Sequence, residues 1–337
     1  MPLDLHSTFR KTVGWILKPE HVVMVLSNYV NTFGRAMMES YGARVHKVTV
    51  DAGFTCPNRD GSKGRGGCTF CNNTSFSPNG RAPAPIATQI ANGRAVIARR
   101  TRAERFIAYF QAYTNTYDDP AVLQQRYDLA LSQPGVIGLA VGTRPDCVPG
   151  KVLDMLACYR DRGFEVWLEL GLQSAFDATL ARVNRGHGFA EYRDAARAAH
   201  RRGLKVCTHL ILGLPEETAA HAHITLDRVL DEGVEGLKLH PLHVVKGTRL
   251  AIAWRRGEYV PWSEARYIHV AGELVRRTPR DVIFHRLTGT ASANLLLAPA
   301  WCGAKWHVLN GLTRHLALHG PQGSALGREA ADLLAVD

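Results

Sequence analysis

Three times along the chain a charged residue, a glycine and an apolar residue follow one another where a helical pattern gives way to a strand pattern: Arg162-Gly163-Phe164, Arg202-Gly203-Leu204 and Glu232-Gly233-Val234. Glycine there supplies the left-handed conformation that stops a helix and turns the chain. Ahead of two of these stops, apolar residues recur at helical spacing, as Phe189, Tyr192, Ala196 and Ala199 and as Ala219, Ala222, Leu226, Val229 and Leu230. Short apolar runs alternate with the helices at 44–51, 105–111, 135–141, 165–170, 205–212 and 236–240. Strand and helix in this alternation make βα units and a parallel sheet. About six such units predict a TIM-like α/β barrel, partial or full, rather than an open doubly wound sheet. No glycine fingerprint for a dinucleotide opens the first unit.

The 337 residues accommodate this barrel as one catalytic domain with additions at both ends. Residues 1–43 read as a helical lead-in stopped by Gly42, residues 44–245 as the barrel, and residues 246–337 as a mixed extension packed on it. A hydrophobic share of 46% with 21% charge excludes a disordered chain. The apolar stretch 21–30 is broken by Ser27 and Asn28, and Asp4, Arg10 and Lys11 flank only a short patch at 13–17. Neither is a membrane span or a secretory core, so a cytoplasmic protein is expected. Seven unevenly spaced cysteines do not make a disulfide framework. The formal charge of +11 draws polyanions, RNA among them, although solvated arginine-rich helix faces account for it equally well.

Three cysteines fall close together after the first strand. Cys56, Cys68 and Cys71 stand in a C-x11-C-x2-C spacing, within Gly53-Phe54-Thr55-Cys56-Pro57-Asn58-Arg59-Asp60-Gly61 and Cys68-Thr69-Phe70-Cys71. Gly61, Gly64, Gly66 and Gly67 let the intervening backbone wrap closely around a bulky object, and Lys63 and Arg65 add charge suited to thiolates. A structural zinc site is closed by four ligands and needs a remote Cys or His here. An iron–sulfur cluster held by three thiolates leaves one iron open to bind a ligand. The loop follows the first strand, at the C-terminal face where barrels place their chemistry.

These motifs resemble the radical S-adenosylmethionine (SAM) superfamily, and more closely its YhcC-like group, related to the Elongator catalytic subunit and to oxygen-independent coproporphyrinogen oxidase. The resemblance runs from about Tyr29 to about Leu312. It implies a radical-SAM partial (β/α)6 barrel, a [4Fe-4S] cluster on Cys56, Cys68 and Cys71, and SAM chelating the fourth iron. It further implies reductive cleavage of SAM to a 5′-deoxyadenosyl radical, fed by an electron donor of flavodoxin or ferredoxin type. Phe70, the aromatic residue before the last cysteine, belongs to the implied cofactor set.

Read bottom-up, the fourth strand delivers Glu169 and Gln173 to the barrel mouth; the resemblance takes them to the ribose hydroxyls or the methionine end of SAM, with an ion pair as the plainer role of Glu169. Asn184-Arg185-Gly186-His187 is similar to an Elongator-type segment that places Arg185 near the SAM carboxylate. His209-Leu210-Ile211-Leu212-Gly213 resembles the fifth-strand motif whose backbone packs on adenine, although related enzymes carry aspartate at the His209 position. Glu216 and Glu217 are expected in the first turn of the next helix. The superfamily's Gly-Gly-Glu signature is absent; the second strand ends in Gln111 and a polar run to Thr116, and the resemblance implies that these groups take over the SAM amine. Arg144 and Cys147 face the expected substrate space, while Cys158 and Cys207 read as core. His240, His243 and Lys246 gather at one strand end as a proton-donor or anion site, or as solvated groups. Arg286, Lys305 and Trp306 contribute basic and stacking surface, or ordinary packing.

Charge balance and the Elongator relationship point to RNA, above all tRNA, as substrate. A small anionic metabolite, as in the coproporphyrinogen enzymes, is the alternative. A non-enzymatic, zinc-stabilised RNA-binding protein is the alternative of another class. No acetyl-CoA-type glycine loop follows the barrel, so no acyl-transfer step is expected.

Overall fold

The computed structural model describes residues 25–72 and 83–327; the first part of the expected lead-in, 1–24, lies outside them. Seven parallel strands form one curled sheet in the order β1 (Val45–Val50), β2 (Arg105–Phe110), β3 (Val136–Thr143), β4 (Glu165–Gln173), β5 (Lys205–Leu212), β6 (Gly236–Pro241) and β8 (Ile283–Arg286). The six expected strands are all present. The seventh comes from the extension, past residue 245, and completes a half-barrel. A short antiparallel pair, β7 (Val244–Val245) with β9 (Leu296–Ala298), ties the extension to the end of β6.

The crossovers are helical. After the one-turn α2 (Pro57–Asp60) in the cysteine loop come α3 (Ile86–Thr101), α4 (Pro120–Leu131) and α5 (Gly150–Asp161). The short α6 (Asp177–Arg182) and α7 (Phe189–His200) follow β4, and α8 (Ala219–Leu230) follows β5. The extension adds α9 (Arg249–Arg255), α10 (Glu264–Arg277) and α11 (Lys305–His319). Gly163, Gly203 and Gly233 have φ of 89°, 65° and 73°, the left-handed stops their sequence context demands. The eighth helix starts later than expected, at Ala219, because Thr218 caps it in a box with His221. Glu216 instead sits in a left-handed turn at φ 65° and pairs with Arg182 at 2.6 Å.

The two faces of the sheet have different chemistry. Phe106, Ala108 and Phe110 of β2, Leu168 and Leu170 of β4, and Leu237 and Leu239 of β6 join the main core beneath the helices. Each buried Phe or Leu contributes roughly 1.5–3 kcal/mol. The alternate residues point into the barrel. There Val45, Ile107, Tyr109, Ala140, Trp167 and Cys207 form a second cluster, closed from below by Ala36 and Met37 of α1 (Phe33–Tyr41). That helix ends at Gly42, φ 61°, and touches both outer strands, β1 and β8. Just before it, Phe284 donates its N–H to the Asn31 carbonyl, so the free edge of β8 is covered. The lead-in therefore plugs the bottom of the half-barrel and leaves the C-terminal end of the strands open.

Candidate active site

The cysteine loop is pinned to that open end. Cys56 caps α2, and Arg59 within this turn donates from Nη2 to the Cys71 carbonyl at 2.7 Å. Asn58 Nδ2 reaches the Asn184 carbonyl at 2.5 Å, while Asn184 Nδ2 returns a bond to the Gly67 carbonyl at 2.8 Å. Arg249 Nη2 also donates to Gly67, at 2.7 Å, and the Leu250 N–H donates to Thr69 at 2.9 Å. Gly67 has φ 75°, and a Cβ there would stand 2.8 Å from Arg59 Nε. This glycine is required both by its conformation and by the close pass of the arginine.

All three sulfurs line one cavity of about 240 Å³. Nitrogen donors face them: the guanidinium Nη1 of Arg185 is 3.4 Å from Cys68 Sγ, and the neutral amide Nδ2 of Asn58 is 3.8 Å from the same atom. Burial and the neighbouring Cys68 push the Cys71 thiol up, against the pull of Arg59 and Arg185. The cations at the sulfurs are thus Arg59 and Arg185. Lys63, expected there, lies on the surface and pairs with Asp146 at 2.6 Å.

Phe70, Gln111, Glu169, Gln173, Arg185, His209 and His240 line the same cavity. Arg185 Nη2 donates to the Gly171 carbonyl at 2.6 Å, an approach only glycine permits, since a Cβ there would meet that nitrogen at 2.7 Å. Gln173 follows a register shift in β4 and has φ 83°; Tyr113, also in the lining, has φ 63°. Two left-handed non-glycine residues at one cavity are strain that the surroundings hold in place. Arg185 Nε and Thr114 Oγ1 are buried without a hydrogen-bond partner among the described residues. Polar atoms left open beside three thiols fit a group that brings both metal and hydrogen-bonding oxygens and nitrogens, as a cluster with SAM does.

Three expected residues lie elsewhere. Gly213 is outside the lining; its carbonyl accepts from Tyr259 at 2.8 Å, and a Cβ on it would meet the Trp262 indole at 3.2 Å. Cys147 is buried in a separate groove, where Asp146 and desolvation push its thiol up to about 12. Lys246 is exposed, and only its carbonyl works for the site, accepting from Asn72 Nδ2 at 2.7 Å. Arg144 does line the cavity, but it is committed: two bonds of 2.9 Å to Asp146 and one of 2.8 Å to the Arg185 carbonyl make it a bracket for Arg185. Cys158, read as core, is exposed on α5 while Cys207 is fully buried. Helical periodicity does not say which stripe faces in. Cys158→Ala is therefore expected to leave iron content and melting temperature at parental values, checked by metal analysis and calorimetry.

The floor of the cavity was not legible as a unit. Glu169, fully buried, pairs with Lys47 at 2.5 Å, with His209 at 2.8 Å, and with Lys238, which also donates to Tyr109 at 2.9 Å. His285 stands 2.7 Å from Lys47, between the rings of Phe33 and Trp167. The two ammonium groups hold the Glu169 carboxyl well below its usual range against burial. Burial lowers Lys238 to about 8 and His209 to about 4. Glu169, Cys207 and His209 have ligand atoms within 4.8 Å of one another, yet two lysines on the carboxylate already neutralise it and disfavour a further cation.

Comparison with known proteins agrees with this geometry. The Radical SAM superfamily profile matches residues 58–229, and the Radical_SAM C-terminal domain profile matches 234–317. Protein YhcC of Escherichia coli K12 is 52% identical over 305 residues, 90% of this chain and 98% of that protein. Elongator complex protein 3 of the mouse is 30% identical over 156 residues, 42% of this chain and 26% of that protein. The solved structure of Methanocaldococcus infernus Elp3 with an N-terminal deletion shares the fold at TM-score 0.53 and 19% identity, over 72% of this chain and 55% of that one. With three thiols at the mouth of a parallel half-barrel and matches along most of its length, the chain belongs to the radical SAM superfamily, as a relative of YhcC, and is an enzyme of the kind that uses a [4Fe-4S] cluster and SAM.

Proposed function

We propose that Cys56, Cys68 and Cys71 hold the [4Fe-4S] cluster and that the adjoining cavity takes SAM and the target nucleoside of a tRNA. The convergence of three thiols, Arg185 and the unpartnered Thr114 hydroxyl on one cavity carries the reading. When bound, the cluster and SAM supply a carbon radical that abstracts hydrogen, and the hard chemistry is theirs. The protein's part is orientation and exclusion of water. Arg185 offers its Nε to a carboxylate while its other nitrogens stay on Gly171 and Cys68. Gln111 and Gln173 present amide groups beside the sulfurs, and His240, held neutral by burial and by Arg286, is a hydrogen-bond donor or acceptor rather than a charge. All seven cysteines are free, which suits a reducing, cytoplasmic setting and a flavodoxin- or ferredoxin-type donor.

The family match sets the zinc-stabilised, non-enzymatic reading aside. The tRNA substrate is supported by the net charge of +11 and by the resemblance to the Elongator subunit. It is tested by nucleoside mass spectrometry of total tRNA from a deletion strain beside its parent. A modification lost or cut short in the deletion, restored by the wild-type gene but not by Cys68→Ala, is the expected result. An unchanged profile would shift the reading to a small anionic metabolite, for which Arg286 at the cavity wall is the natural partner.

A further inference from the structure

We propose that the mouth of the cavity carries a stacking platform, Trp306 flanked by Lys305 and Arg286, that grips single-stranded RNA next to the nucleoside entering the cavity. This rests on the RNA reading above and names the residues that would perform it.

Topology brings the three together. Arg286 ends β8 at the open face of the half-barrel and lines the cavity with Tyr109, His209 and His240. Lys305 and Trp306 open α11, the next long helix to leave that face after β8, and the Lys305 ammonium lies 5.3 Å from the Trp306 ring centroid. The Arg286 charge also acts on Lys305, lowering its ammonium further below the level that burial alone sets.

None of the three is explained by folding. Trp306 is 72% exposed, whereas Trp167, Trp254, Trp262 and Trp301 are buried or half-buried. An indole left in water forfeits the largest apolar burial a side chain offers. Lys305 stands in the first turn of a helix, where the dipole works against a cation. Neither Lys305 nor Arg286 forms an ion pair with a described residue, and Glu264, an acid near this end, has His307 rather than either cation at 3.3 Å.

An exposed indole beside one cation, with a second cation near enough to act on the first, suits a nucleotide next to a flipped one. Its face stacks on any base, and the cations meet the flanking phosphates. A cavity of about 240 Å³ leaves the neighbouring nucleotides outside it, beyond Arg286 in its wall.

The test uses anaerobically reconstituted full-length enzyme and fluorescence anisotropy. Two probes are needed: a labelled single-stranded RNA of about ten nucleotides and an unmodified tRNA transcript. Trp306→Ala is expected to bind the single strand about tenfold more weakly with an unchanged salt slope, and Trp306→Phe to recover most of the loss. Arg286→Gln with Lys305→Gln is expected to lower the slope of log K against log salt by about 1.4, the share of two phosphate contacts on a single strand. All variants should melt with the parent, since the three side chains are exposed. If the parent binds both RNAs and Trp306→Ala binds them equally well, the platform is overturned while the RNA reading stands. If the parent binds neither, both fall.

Discussion

Alanine at Cys68 is expected to strip the protein of most of its iron and to bring 5′-deoxyadenosine formation to background, a loss of at least about 100-fold. Cys68 is the most deeply set of the three thiols, 6% exposed, with Arg185 and Asn58 turned toward its sulfur. Cys56 and Cys71 alone would leave two irons of such a cluster without a protein ligand and open to water. The substitution also removes the sulfur that Arg185 faces, so the guanidinium loses part of its setting at the same time. The loop itself should survive, because Asn58, Arg59, Asn184 and Arg249 pin it through backbone carbonyls that do not involve the thiol. Iron and sulfide per chain after anaerobic reconstitution, with 5′-deoxyadenosine by liquid chromatography and mass spectrometry, separate the two effects. Full iron content with undiminished product would remove Cys68 from the cluster and leave the proposed site without its third ligand. The same measurements on Cys158→Ala give the baseline for losing a thiol that lies far from the site.

What could be read in advance and what could not divide along one physical line. Gly163, Gly203 and Gly233 announce helix ends because the left-handed stop is a local requirement. The C-x11-C-x2-C spacing announces a site because ligand geometry is local as well. The interior of the half-barrel is different. A parallel sheet is buried on both faces, so alternation does not say which residues point to the helices and which to the barrel axis. Lys47, Glu169, Lys238 and His285 come from four strands, and only the register of those strands makes them one network. The seventh strand escaped for the related reason that 283–286 is short and has no preceding βα rhythm to announce it. Arg144 shows the limit at a single residue. Its position after β3 was legible, but its commitment to the Arg185 carbonyl depends on where another loop arrives.

That network sets the second large effect. Glu169→Gln is expected to cost about 3–5 kcal/mol of stability, the range for removing one partner of a buried ion pair. For a chain of this size that lowers the melting temperature by roughly 4–7 °C. Lys47 and Lys238 then face each other's charge with no carboxylate between them, 14% and 3% exposed at the side chain. The amide can still accept a hydrogen bond, so the loss reports charge rather than shape. The pH dependence gives a second, independent reading. In the parent, the Glu169 carboxyl is depressed, so its contribution is complete above the ordinary carboxylate pKa and fades only as pH falls through its lowered folded value. Lys238 is also depressed, to about 8 in the folded state, so between that value and its unfolded value of about 10.4 the unfolded chain holds a proton the folded one has released. Stability therefore rises with pH in that window. Without Glu169 to favour the ammonium, Lys238 falls further, and the window opens downward into neutral pH. The variant's deficit should accordingly narrow between about pH 7 and 8, where the parent's stability has only begun to rise. Scanning calorimetry across that range, at matched iron content, tests both halves. A Glu169→Gln protein that melts with the parent and shows the parental pH slope would mean that the lysines are not held by this carboxylate. Glu169→Leu with Lys47→Met and Lys238→Met should recover most of the loss, because replacing the whole buried set by apolar groups removes the desolvation cost along with the attraction.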